Sequence, residues 1–184
     1  MILLLIAGVA LACANNETKT LTEESVVVEG PALQENKEVE KLTFELVLEL
    51  EKLDQNNYNF LATMKLDEGA YYGSPHSNNS YLGLFDIEFE KNEKITVGDT
   101  LIETPFPPEV DDAFSTEKVR WVKEETKYEQ LLKVNTNEDF EVKGIVSTVV
   151  EPVCNRYEIA FVISSKSGEM SINQEEPIVA NITN

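Results

Sequence analysis

Apolar and polar residues alternate with a period of two along most of the chain beyond residue 41. That is the pattern of a β-strand with one face buried. Leu42, Phe44, Leu46, Leu48 and Leu50 alternate with Thr43, Glu45, Val47, Glu49 and Glu51. A helix could align Leu42, Leu46, Leu50 and Leu53, but it would leave Phe44 and Leu48 on its wet side, so strand is the better reading. Tyr58, Phe60, Ala62, Met64 and Leu66 repeat the alternation behind an Asn56-Asn57 turn signal. Gly83, Phe85, Ile87 and Phe89 form a further row, and Tyr157, Ile159, Phe161 and Ile163 form the last. Between them, Tyr128 to Val134, Phe140 to Gly144 and the β-branched run Ile145 to Val150 also read as strands. Residues 116–134 begin ambiguously, because Glu117 to Lys123 would tolerate a helix. Thr104-Pro105-Phe106-Pro107-Pro108 cannot be a central strand, since proline lacks a ladder donor, and it reads as an extended connection between sheets. About seven to nine short strands at regular spacing predict an all-β fold, an immunoglobulin-like antiparallel β-sandwich. The Cys…Trp…Cys pattern of antibody domains is absent.

Composition narrows what such a sandwich can do. Apolar residues at 42% suffice for a core, and 184 residues leave room for one domain and a tether. The 34 acidic residues against 15 basic give a net charge of −19, which repels nucleic acid and anionic headgroups. Nucleic acid is therefore excluded as a partner class, and the acidity reads as a solubility feature. The first thirteen residues place the chain. Ile2 to Ala12 is an uncharged apolar run of signal-peptide length, too short to span a bilayer, and it stops at Cys13. With Ala10 and Ala12 just before that cysteine, residues 1–12 resemble a bacterial lipoprotein signal peptide. The resemblance implies cleavage before Cys13 and acylation of its thiol and new amino group, with several chains because one alone holds only marginally. Residues 13–40 then read as a lipidated cysteine and an acidic flexible tether, interrupted only by Val26-Val27-Val28. A lipid-anchored protein of the bacterial cell envelope follows, facing the periplasm or the cell surface.

Enzyme signatures are sparse. The chain has no Gly-rich phosphate loop, no HExxH and no GxSxG. The single histidine, His76, lies in the turn-rich Gly73-Ser74-Pro75-His76-Ser77 and reads as a solvent-exposed loop residue. Glu109, Asp111 and Asp112 lack the spaced ligands and glycine turn of a calcium loop, so a solvated surface is the simpler reading. Asn78-Asn79-Ser80 and Asn181-Ile182-Thr183 match the N-glycosylation pattern, a chance match in a bacterial lipoprotein. No cofactor and no metal is implied. With Cys13 lipidated, Cys154 is the one thiol left and no intramolecular disulfide can form.

A second resemblance runs through residues 58–164. Asp67-Glu68-Gly69-Ala70-Tyr71-Tyr72, Glu103-Thr104-Pro105, Asp111-Asp112-Ala113-Phe114 and Val119-Arg120-Trp121-Val122-Lys123-Glu124 come first. Tyr128 to Val134 and Phe140-Glu141-Val142-Lys143-Gly144 follow in the same order. Together they are similar to the immunoglobulin-like N-terminal module of DsbD-type thiol–disulfide interchange proteins. The resemblance implies that residues 117–134 are strands. In that family two cysteines on adjacent strands exchange electrons with client disulfides. Here Cys154 falls near the second, whereas Val149 or a neighbour occupies the place of the first. One thiol cannot cycle a dithiol. Cys154 is then either a candidate redox thiol or, as Val149, Val150 and Val153 suggest, a small buried hydrophobe; the second is the preferred expectation.

The sequence thus leads to a membrane-anchored cell-envelope lipoprotein whose sandwich spans residues 41–173, followed by a loose tail over 174–184. Its expected role is a non-catalytic protein-binding module. Its partners would be the membrane, through the lipid, and another cell-envelope protein, met at Tyr71, Tyr72 and Pro75 and around Pro105–Pro108. Two rival readings stand beside it: a thiol–disulfide exchange accessory using Cys154, and a structural or adhesive surface lipoprotein.

Overall fold

The computed structural model describes residues 42–78, 83–111 and 117–180. The leader, Cys13, the tether with Val26 to Val28, Asn79-Ser80, Asp112 to Phe114 and Asn181 to Thr183 lie outside the described residues. The alternating rows do become strands. In chain order these are β1 (Phe44–Lys52), β2 (Asn57–Leu66), β3 (Tyr71–Gly73) and β4 (Asp86–Phe89). Next come β5 (Ile95–Thr104), β6 (Glu109–Asp111), β7 (Lys118–Val122) and β8 (Thr126–Val134). The last four are β9 (Phe140–Glu151), β10 (Asn155–Lys166), β11 (Glu169–Gln174) and β12 (Ile178–Val179). Among the described residues there is no helix, and so none long and apolar enough to cross a membrane.

Two antiparallel sheets result. The smaller runs β1-β2-β8-β5, and the larger runs β11-β10-β9-β3-β7-β6 with β12 on β10 and β4 on β9. The fold is an all-β, immunoglobulin-like sandwich. Twelve strands are present among the described residues rather than seven to nine. The excess comes from β3, β6 and β12, whose three, three and two residues are too short to print an alternation. The ambiguous stretch resolves into β7 and β8. Residues 175–180 of the expected tail are not loose: Ile178 and Val179 pair with Glu158 and Tyr157 of β10, and the Ala180 N–H donates to the Arg156 carbonyl.

The core sits where the inner faces meet. Phe60 of β2 lies against Phe161 of β10 at 5.2 Å between ring centroids, and Phe44 of β1 meets Tyr157 edge-on at 4.9 Å. Phe85 stacks on Tyr128 at 4.1 Å. Such aromatic pairs add about 0.5–1.5 kcal/mol each beyond the area they bury. Gly144 is required by this packing. A Cβ there would fall on the Phe161 ring and 2.7 Å from the Glu88 carbonyl. The Lys166–Glu169 turn closes β10 onto β11 through Ser167 and Gly168, both at positive φ, the geometry two-residue hairpin loops favour. As the prolines require, Thr104–Pro108 carries the chain from β5 in one sheet to β6 in the other.

Candidate functional site

The site is built around β3, which is wedged between two longer partners. Tyr72 pairs with Val150 of β9 on one side and Val122 of β7 on the other. Gly69, at φ +84°, makes the turn that delivers the chain to this strand. Successive side chains of a strand point to opposite faces, so Tyr71 and Tyr72 part company. Tyr72 is fully buried, which removes it from the partner-facing loop expected from sequence: its ring packs inward on Phe85. Tyr71 stays outside, edge-on to Trp121 at 5.2 Å, with the Lys123 ammonium 5.8 Å above its ring.

Beneath this surface lies a buried polar cluster. Glu103 of β5 is only 6% exposed. The Tyr128 hydroxyl donates to its Oε1 at 2.8 Å and the Ser74 hydroxyl to its Oε2 at 2.6 Å. The Tyr72 and Tyr128 phenol oxygens are 3.0 Å apart. Burial pushes both phenols well above the ordinary tyrosine range, so neither serves as a base. The cluster holds structure. It joins four elements at one point: β3 through Tyr72, β8 through Tyr128, the 74–77 turn through Ser74, and the root of the proline segment through Glu103.

That segment forms a strap over the end of the sandwich. Arg120 of β7 fastens it: Nη1 donates to the Pro107 carbonyl at 2.9 Å, Nη2 lies 3.7 Å from Glu109, and the guanidinium sits 4.6 Å from the centre of the Phe106 ring. His76 is not the free loop residue expected. It is half-buried, with its ring 5.6 Å from that of Phe106. Phe106 nevertheless remains 56% exposed. Between the strap and the end of β7 is a groove of about 260 Å³, walled by Pro105–Pro108 and by Trp121 and Lys123, with buried Val122 and Thr126 at its floor. Pro75 does not reach this groove. It lines a separate shallow hollow with Leu84, Asp86 and Arg156.

Cys154 closes the turn between β9 and β10. It is exposed, which overturns the expectation of a buried packing residue. The reason is local: β9 and β10 are long and paired to their ends, so the residues between them project beyond the core, and Cys154 takes φ +57° there. One step past the Val150–Asn155 pair, it stands opposite Glu151, which itself pairs with Tyr71. The Glu151 carboxylate, with a little burial, raises the thiol above its usual range. Arg156 does not counter this, because its Nε lies 3.3 Å from Glu158. Val149 is buried and pairs with Arg156.

Among the described residues no three His, Cys, Asp or Glu side chains gather to hold a metal. Sequence reading missed Glu103 as the organising group and Arg120 as the clasp. Glu103 did carry a signal. It falls in register with Ile95, Val97 and Leu101 on the inward face of β5, where a carboxylate is out of place. No protein-family model matches the chain, and no curated protein matches it.

Proposed function

We propose that this protein is a lipoprotein of the bacterial cell envelope, anchored through Cys13, whose sandwich resembles the DsbD N-terminal module and acts as a non-catalytic protein-binding module. The observation that carries the binding role is the surface formed by Tyr71, Trp121 and Phe106 over a rigid, buried support. Phe106 stands exposed on a strap held by hydrogen bonds, with half-buried Tyr71 and Trp121 beside it on β3 and β7, and accessible aromatic side chains on a rigid support are the material of interaction hot spots. The anchor rests on the apolar run ending at Cys13 and the polar tether behind it.

Two measurements in cells test it. A photo-crosslinking residue at position 106 should give a discrete protein adduct, while the same residue at position 171, on exposed β11, should not. Adducts from both positions alike, or from neither, would refute the binding surface. Cys13→Ala should move the protein from the membrane to the soluble fraction or leave it unprocessed; a cleaved variant that stays on the membrane would refute the anchor.

A second reading is favoured by the exposure of Cys154 beside the Tyr71 surface. In it the thiol is an accessory of disulfide exchange. It would attack a partner disulfide, forming a mixed disulfide and releasing the other partner sulfur as thiolate. A partner complex that survives denaturant, dissolves in reductant and vanishes in Cys154→Ser would establish it.

A further inference from the structure

We infer that the groove between the strap and β7 takes an extended peptide segment of the partner, one that presents an apolar side chain flanked by Lys or Arg. This deepens the protein-binding reading and rests on it. The first argument is size. At about 260 Å³, the groove is smaller than the roughly 300–1,000 Å³ of small-molecule sites. It suits a single anchoring side chain with its backbone lying outside. The second is lining. Pro105, Pro107, Pro108, Val110 and Trp121 offer rigid apolar surface, and immobilising rigid groups costs little on binding.

Charge decides which segment. The cations at the groove are already engaged within the chain, Arg120 with Pro107, Glu109 and Phe106, and Lys123 over Tyr71. Glu124 on the rim and Glu125 beside it are exposed and have no ion-pair partner among the described residues. With a chain charge of −19 behind them, they draw in cations and repel acidic segments.

Trp121 is the only tryptophan of the chain, so its emission reports on the groove directly. The full-length chain in detergent would be titrated with a synthetic heptapeptide alternating Lys with Val and Phe. Counterparts carrying Glu or Ser in place of Lys complete the set. The Lys peptide should shift the emission saturably and bind about tenfold or more tightly than either counterpart. Glu124→Lys and Phe106→Ala, both at exposed positions, should each weaken it roughly fivefold or more, while Glu49→Lys on β1, the same charge change at the far edge of the smaller sheet, should not. Equal losses from Glu124→Lys and Glu49→Lys would reveal diffuse attraction and overturn the inference, as would a Glu or Ser peptide that binds as well. If no peptide binds yet position 106 still crosslinks in cells, this inference falls and the protein-binding reading stands. If both fail, both fall.

Discussion

Tyr128 occupies a position where a ring and a hydroxyl are both used. The ring stacks on Phe85 and the hydroxyl donates to buried Glu103. Tyr128→Phe keeps the stack and leaves a buried carboxyl oxygen short of a donor, a loss of about 1–3 kcal/mol. Denaturant unfolding followed by Trp121 emission would measure it, and a neutral result would show that the cluster contributes nothing to stability. The same phenol gives a pH dependence. The folded value for Tyr72 and Tyr128 lies above the ordinary 10.0, so the unfolded state loses these protons first. Their stabilisation is complete below about pH 10 and is lost as pH climbs through the raised folded values. Unfolding midpoints should therefore fall above about pH 10, less steeply in a Tyr72→Phe variant; identical slopes would remove the buried phenols as the cause. Cys154 gives a sharper test of its neighbour. Since the Glu151 carboxylate raises the thiol above its usual range, Glu151→Gln should speed maleimide labelling at Cys154, mapped by peptide, roughly a few-fold at pH 7.5. An unchanged rate would leave Glu151 without influence.

At the scale of elements, what was legible followed strand length. β1, β2 and β10 each carry four or five apolar residues on one face, and one buried face is enough to print the period of two. β7 did not show it. Val119 is buried on one face and Val122 on the other, so no single row stands out and a helix remained open until β3 and β6 paired with it. The groove was partly legible: the prolines announced a crossing between sheets, but nothing local said that Arg120 would clasp them. Least legible was the seam between the sheets. Gln174, the last residue of β11, lays its amide along the open edge of β1. The Leu48 N–H donates to its Oε1 at 3.1 Å, and its Nε2 donates to the Leu46 carbonyl at 2.8 Å. A side chain thus stands in for a strand partner and protects an edge that, among the described residues, no strand covers. Gln174→Leu should cost about 1–2 kcal/mol and raise amide exchange at Leu48. Exchange at Leu48 unchanged beside a loss of global stability would assign the loss to packing instead of the bridge.

Taken whole, the molecule carries far more negative charge than its ion pairs neutralise. Pairs such as Lys65–Glu45, Lys94–Glu138 and Arg156–Glu158 stand on the surface with their side chains partly in water, where each is worth about 0–1 kcal/mol. A net charge of −19 instead repels itself in the folded state more than in the expanded one. Added salt screens both interactions, and repulsion is the larger. Raising sodium chloride from about 20 mM to about 0.5 M shortens the screening length several-fold and should therefore raise Tm. If about 1 kcal/mol of repulsion is relieved, the gain is about 2–4 °C for a chain of this size. Binding must respond with the opposite sign. The same salt that stabilises the sandwich hides Glu124 and Glu125 from a cationic segment, so the Lys peptide should dissociate over the range in which the fold grows firmer. Calorimetry and Trp121 titration at matched salt would separate the two responses. A Tm that falls with salt would mean that the ion pairs outweigh the repulsion, and the charge of this protein would have to be read as part of its fold.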